Sequence, residues 1–501
     1  MHELLTAVTL LAEPYSLFAI VLGSVVGIVF GAIPGLTYTM ALALVLPLTF
    51  KLEPAAAIAM MISTYIGGMN GGSVSAVLIG IPGTPSAAAS VIDGYQMARQ
   101  GRAGLALGIA LLASAFGGLF SLVVMMFSVD LVARLAIRFG PVEIFALVLF
   151  GMSTICGLAE KSLLKGMIAG VIGLMVMTIG LDEMDGVARL TFGWTPLLQG
   201  VNLVVAMVGL FAVPQLMQTF MDHFRGHAQA ADARDVKNEL PSLRLLGQNF
   251  GLMTRCSIIG TIVGAIPGTG GPIAAFLAYD HTKRFARNKE GFGKGRVEGL
   301  FGPEAANNAV TGGTMIPLLS LGIPGDAATA VMLGGLLIHG VQPGPLLFTE
   351  NKTEVYVIYL AILLATIVVT SIQYYGIRAF VKLLRVPPPV LAMVILVMCV
   401  VGTFAIRNSY LDIVVMAIIG LIGYLLMRAR IPITPIVLGL VLGPTMEKEF
   451  RTALILSEGD YMTFLQSAPA AILFALTLLV LVMHFYGQFR EARAKPRPAK
   501  A

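Results

Sequence analysis

With 501 residues, 57% of them hydrophobic and only 12% charged, the chain lies outside the range of soluble domains, in which about a quarter of residues carry charge. The formal net charge is +6, but the basic residues gather in short loops between apolar stretches, as membrane topology requires, and give no sign of a nucleic-acid partner. Composition points to an all-α polytopic integral membrane protein with about ten to twelve transmembrane segments, each using roughly 20 apolar residues.

In chain order, the first fifty residues contain no Lys or Arg, so no signal peptide is expected. The apolar stretch from Ala12 to Phe50 is broken by GAIPG at 31–35, and near-neutral KLEP at 51–54 is assigned to the outside. A second motif, GIPG at 80–83, sits within NGGSVSAVLIGIPGTPSAAAS (70–90), and Arg99 and Arg102 place the following loop inside. Arg134 and Arg138 depart from the alternation, since counting crossings puts them outside; an interfacial amphipathic segment is the expected explanation. LDEMD at 181–185 goes outside, and the charge-balanced segment 222–244 goes inside by alternation.

GAIPG returns at 264–268, within Gly251–Tyr279, ahead of DHTKRFARNKEGFGKGRVE (280–298), whose six basic residues assign it to the cytoplasm. GIPG returns at 322–325, in a run from Val297 to Asn351 that contains no Lys or Arg. TENKTE at 349–354 and EKEF…SEGD at 447–460 are assigned outside; Arg378, Lys382, Arg385, Arg428, Arg430 and the tail FREARAKPRPAKA are assigned inside. The division expected is 1–221, a first repeat with following helices; 222–250, a cytoplasmic linker; 251–487, a second repeat with following helices; and 488–501, a basic cytoplasmic tail.

The two motif pairs occur in the same order, but the loop charges after them are reversed. That pattern predicts two inverted-topology repeats, with the N-terminus outside and the C-terminus cytoplasmic. Backbone polar groups cannot stay unpaired in lipid, so the Gly/Pro breaks must be covered by protein or line a cavity. Gly251–Tyr279 is too short for two full crossings and predicts a re-entrant hairpin with its turn at Ile266–Gly268; symmetry puts the other turn at Ile33–Gly35. Amides freed at a helix start form an anion site, and freed carbonyls coordinate a small hard cation. The competing reading of the small residues is close helix packing. Asp326, directly after the second GIPG, suits an ion path or a helix cap, and the two roles are compatible.

Cys156, Cys256 and Cys399 are isolated, and only His223 and His227 sit four apart, in a charged loop, so no disulfide framework or resident metal is expected.

The segments GAIPGL…LPLTF and NGG…GIPGTPSAAASVIDGYQMARQGRAG, with their second-half counterparts, resemble the large membrane subunit of the tripartite tricarboxylate transporter family. The resemblance runs over nearly the whole chain and is most specific at 70–104. It implies secondary-active uptake at the bacterial inner membrane, driven by a sodium or proton gradient without ATP or cofactor; the chain has no GxxxxGK[ST] phosphate loop. The partners implied are a small four-helix membrane subunit and a periplasmic solute-binding protein, and the substrates are di- and tricarboxylates such as citrate, with aromatic acids in some members.

Because the motif regions lack Arg and Lys, a carboxylate there would be held by amides and hydroxyls. The candidates are Asn70, Ser73, Ser75, Thr84 and Ser86 from one half, and Asn307, Asn308, Thr311, Thr314 and Thr329 from the other. The ion-binding tips expected are Gly31, Pro34 and Gly35; Pro82 and Gly83; Gly264, Pro267 and Gly268; and Gly322, Pro324 and Gly325 with Asp326. Two rivals stand beside this reading. An intramembrane enzyme would need a nucleophile–base pair or metal cluster, yet His339 and His484 are solitary and neither HExxH nor GxSxG occurs. An organic-anion channel or a non-translocating scaffold could use similar tips.

Overall fold

The computed structural model describes residues 2–136, 139–158, 162–182, 184–224, 238–286, 288–383 and 386–494. The expectations for Arg138, His227, Arg385 and the last residues of the tail fall outside these, as do those for the side chains of Cys156 and His223.

The chain begins with helices α1 (His2–Ala12), α2 (Pro14–Ala32), α3 (Tyr38–Thr49) and α4 (Pro54–Ile79), then a 3-10 turn at Pro85–Ala87, α5 (Ala88–Arg99) and α6 (Ala103–Ala136). Next come α7 (Pro141–Leu158), α8 (Leu163–Met177), short strands β1 (Gly180–Leu181) and β2 (Ala188–Arg189), a 3-10 turn at Thr195–Gln199, and α9 (Leu203–Phe224). The second half opens with α10 (Leu243–Ala265), α11 (Gly270–Phe285), α12 (Glu298–Leu321), α13 (Ala327–Ile338) and α14 (Leu347–Glu350). It closes with α15 (Lys352–Leu383), α16 (Pro388–Arg407), α17 (Tyr410–Arg428), α18 (Thr434–Leu456), α19 (Thr463–Gln466) and α20 (Ala468–Ala494).

Among the described residues, seven helices are long and apolar enough to cross a membrane: α2, α6, α9, α15, α16, α17 and α20. Helices α4 and α12 are as long but carry Gly, Asn, Ser and Thr. They tolerate those residues because protein surrounds them: α4 is buried continuously from Ala55 to Val77 and α12 from Gly299 to Ser320.

All four Gly/Pro motifs interrupt helices. α2 stops at Ala32, where Ile33 turns extended ahead of Pro34, and α10 stops at Ala265 in the same way. α4 and α12 each end on a left-handed glycine, Gly80 (φ 72°) and Gly322 (φ 70°), a conformation that a side chain would strain. The restarts are capped. Thr37 accepts from the Met40 amide at 3.2 Å, and Asp326 forms a capping box with Thr329 over α13.

Two expectations change. Helix α10 has 23 residues, starting at Leu243 ahead of the apolar stretch, so it is about 35 Å long, more than a half-helix arm. Its first turns carry Arg244, Gln248 and Asn249, which hid the helix from a hydropathy reading. Arg134 lies in the last turn of the 34-residue α6 and pairs with Asp130, instead of on a separate interfacial segment. A helix of that length, about 50 Å, outruns the roughly 30 Å hydrocarbon core and leaves its charged end beyond it.

The chain divides into two compact units, Met1–Ala136 with Val204–Tyr424, and Ile137–Leu203 with Leu425–Ala501. In the first, α2 packs along α4 through a glycine seam. A methyl group on Gly23, Gly27 or Gly31 would lie 2.5 Å from Met60 O, 2.3 Å from Thr64 O or 2.2 Å from Gly68 O. Helix α10 meets α12 similarly, with Gly260 against Ala306 O and Gly264 against Val310 O. Such seams let backbones approach where water supplies no driving force between helices. In the second unit, α8 and α18 meet at Gly173 and Gly439, and Phe145, Phe450, Phe464 and Phe474 form an aromatic cluster.

Candidate functional site

The interrupted helices of the first unit bring their tips together. The Gly268 amide donates to Gly325 O at 2.7 Å. A methyl group on Gly83 would fall 2.0 Å from Gly31 O, so the first-half tips also touch. The Gly83 amide donates to Gly72 O at 3.4 Å.

Contacts also cross between the halves. The Tyr65 hydroxyl of α4 donates to Asp326 Oδ2 at 2.9 Å and lies 3.2 Å from Thr314 Oγ1. The remaining carboxylate oxygen of Asp326 accepts from the Thr329 amide and hydroxyl, each at 2.8 Å. Asp326 and Thr329 are therefore a satisfied helix cap joined to a tyrosine. Tyr38 packs on Tyr65 with ring centroids 5.7 Å apart.

The residues at the same sequence offsets from the second pair of motifs are of a different kind. Tyr38 is the third residue after Gly35, and Gly271 is the third after Gly268. Tyr65 lies fifteen residues before Gly80, and Asn307 fifteen before Gly322. Two tyrosines thus stand on one side, a glycine and an asparagine on the other. A methyl group on Gly271 would lie 2.7 Å from Asn307 Oδ1 and 2.7 Å from Ser86 Cβ. The start of α11, the Asn307 amide and the 3-10 turn carrying Ser86 meet at one point.

The Asn307 side chain is 1% exposed, yet neither its Nδ2 nor its Oδ1 has a partner. Each buried unpaired polar atom costs about 1–3 kcal/mol, and two of them together call for a partner such as a bound water, an ion or a polar ligand. Beside it, Thr84 Oγ1 and Ser86 Oγ are 3.0 Å apart.

Other sequence candidates are engaged within their own helices. Ser73 donates to Asn70 O, Ser75 to Gly72 O, Thr311 to Asn308 O and Thr314 to Thr311 O. Asn70 and Asn308 bridge the halves: Asn70 Nδ2 donates to Asn308 Oδ1 at 3.2 Å, which leaves Asn70 Oδ1 unpaired.

Several residues at this centre carry no sequence signal of their own. Tyr65 reads as one aromatic residue in an apolar run. Glu304, fully buried on α12, accepts from Ser90 of α5 and from Ser114 of α6. Asp93 of α5 is also fully buried; its Oδ1 accepts from the amides of Gly293, Gly295 and Arg296, and its Oδ2 from Tyr279. The available hint was an acid with no basic neighbour, as Glu304 shows in EGLFGPEAANNAV.

The second unit holds a different polar feature, a cavity of about 260 Å³ lined by Asp182, Arg189, Glu447 and Arg451 among others. Arg189 pairs with Asp182 and Glu447, and Arg451 with Asp182, Asp185 and Glu447. Each guanidinium already faces carboxylates, so this network serves structure better than it would receive an acid.

Apolar spans, glycine-seamed helices and a buried polar centre at broken helices define a multi-pass α-helical membrane protein. The chain belongs to the tripartite tricarboxylate transporter TctA family, whose model matches residues 17–438. It is thus a membrane component of a tripartite tricarboxylate transport system. An uncharacterized 52.8 kDa protein of the TAR-I ttuC' 3' region of Agrobacterium vitis is 34% identical over 477 residues, 94% of each chain. An uncharacterized protein of the TAR-II ttuC' 3' region of the same organism is 32% identical over 234 residues, 47% of this chain and 97% of that one. No solved structure matches the chain significantly.

Proposed function

We propose that this protein is the translocating subunit of a binding-protein-dependent system that takes up di- or tricarboxylates of the citrate type through the bacterial inner membrane, with its C-terminus in the cytoplasm. A periplasmic solute-binding protein delivers the acid, and a small four-helix membrane subunit completes the complex. The observation that carries this reading is the buried, unpartnered Asn307 amide beside Gly271 and Ser86.

A carboxylate seated there accepts from Asn307 Nδ2, from the Thr84 and Ser86 hydroxyls and from amides at the start of α11. A neutral donor set leaves the acid's charge uncompensated. Each negative charge entering against an inside-negative potential costs about 2.3 kcal/mol per 100 mV, so co-transport of sodium or protons offsets both that work and the burial. The two halves, read as inverted repeats, supply two arrangements of the tips that open the site to either side in turn.

The test is uptake of labelled citrate by vesicles reconstituted with all three subunits. Saturable accumulation against a gradient is expected. Asn307→Ala removes a donor to a charged group, worth about 1.5–3 kcal/mol or about ten- to a hundredfold in affinity, without lowering thermal stability because no internal bond is lost. Wild-type uptake by Asn307→Ala would exclude this site. Uptake that only equilibrates the acid would favour an anion channel, and no uptake at all would favour a scaffold.

A further inference from the structure

The transport reading leaves a buried acid with no assigned task. Glu304 is 0% exposed and has no basic partner among the described residues. Its carboxyl oxygens meet two hydroxyls, Ser90 Oγ at Oε1 and Ser114 Oγ at Oε2, the latter at 2.9 Å. Ser114 Oγ accepts from Asn308 Nδ2 at 2.7 Å, and Asn308 Oδ1 accepts from Asn70 Nδ2. A continuous hydrogen-bonded path therefore runs from Glu304 to Asn70 on α4, whose Oδ1 is unpaired.

Most titratable groups on the neighbouring elements have partners of their own or are exposed, while the buried His281 Nε2 has no hydrogen-bond partner. Asp93 of α5 is held by three amides and Tyr279 of α11. Cys256 of α10 contacts Thr282 of α11, and Arg255 is exposed. On α11, Asp280 pairs with Arg284, Lys283 is exposed and His281 packs on Phe285. Tyr65 of α4 bonds to Asp326 of α13, and His339 at the end of α13 meets Thr49. Glu298 at the start of α12 pairs with Arg296. Between Ala103 and Ser128, α6 has no titratable residue.

We infer that Glu304 is a proton-binding site that loads and unloads one proton in each transport cycle. A carboxylate in such surroundings needs a cation or a proton. Sodium requires a shell of oxygens, whereas Asn308 turns its NH₂, which also donates to Glu304 O, toward Ser114. Hydroxyls both donate and accept. Ser90 and Ser114 donate to the carboxylate, and one of them accepts once the proton has bound, so each carboxyl oxygen keeps a hydrogen-bond partner in either state. The ligand bound is H⁺, and the step is addition of a proton to one carboxylate oxygen and its later release.

This inference rests on the transport reading only for the word cycle; proton binding is measured separately. Infrared difference spectra of the full chain in lipid, recorded across a pH titration, are expected to show a carboxylic acid C=O band that is absent in Glu304→Gln and retained in Asp326→Asn. In reconstituted vesicles, Glu304→Gln is expected to lose the response of uptake to an imposed proton gradient. A band insensitive to pH, unchanged in Glu304→Gln, or moved by sodium at constant pH would overturn the assignment. So would a retained response to the proton gradient. If the band behaves as expected in a protein that transports no carboxylate, the transport reading fails and the proton site stands.

Discussion

Tyr65 shows how much a single side chain can decide in this fold. Its ring is buried between halves of the chain that meet only in the tertiary structure, and its hydroxyl is the donor to Asp326 Oδ2. Tyr65→Phe leaves Asp326 with Thr329 but removes one bond to a charged group. A loss of about 1.5–3 kcal/mol is expected, read as a lower midpoint of thermal unfolding in detergent. An unchanged midpoint would show that Asp326 does not need this donor. Asp326 itself was legible in the sequence, because it follows GIPG in a run without basic residues. Glu304 shares that signal, but its partners Ser90 and Ser114, like Asp326 for Tyr65, lie more than a hundred positions away and could not be read from the sequence.

At the scale of elements, the glycines of α2 have opposing effects that a substitution can separate. Alanine is a better helix former than glycine by about 1 kcal/mol, so Gly→Ala stabilises wherever there is room. Gly251 of α10 has nothing within 4 Å of a new methyl group, whereas at Gly27 the methyl would lie 2.3 Å from Thr64 O and 2.8 Å from the Gly68 amide. Gly251→Ala is expected to raise the unfolding midpoint. Gly27→Ala is expected to lower it, because a backbone clash exceeds the propensity gain and overpacking typically costs about 1–3 kcal/mol. Equal effects at both positions would disprove a tight α2–α4 seam. The helix breaks were readable in advance because Pro and Gly act locally. The full length of α10 was not, because polar residues in its first turns resemble a loop.

At the scale of the whole molecule, the chain's order in sequence says little about which segments assemble. Ile137–Leu203 joins Leu425–Ala501 in one unit through packing such as α8 on α18, which no motif announces. The ion network there has a testable pH response. The Met184 amide and then the Arg451 guanidinium hold the Asp182 carboxyl down at about 2. Its folded value lies below its unfolded one, so its contribution is complete above the ordinary aspartate range of about 4 and disappears as the pH falls through about 2. Hydrogen exchange in the segment 180–189 is expected to rise across that window, and to rise at higher pH in Arg451→Gln; indifference to both would remove the network as the clamp.

Asp93 has a consequence for how parts of the first unit travel. It ties α5 to the backbone at Gly293, Gly295 and Arg296, while Ser90, one turn earlier on the same helix, touches Glu304. Helix α5 is thus a short crank with a basic loop fastened at one throw and an acid at the other. Through Asp93 and Ser90, α5 therefore couples the backbone at 293–296 to the buried acid, and a turn of this helix would be felt at both ends.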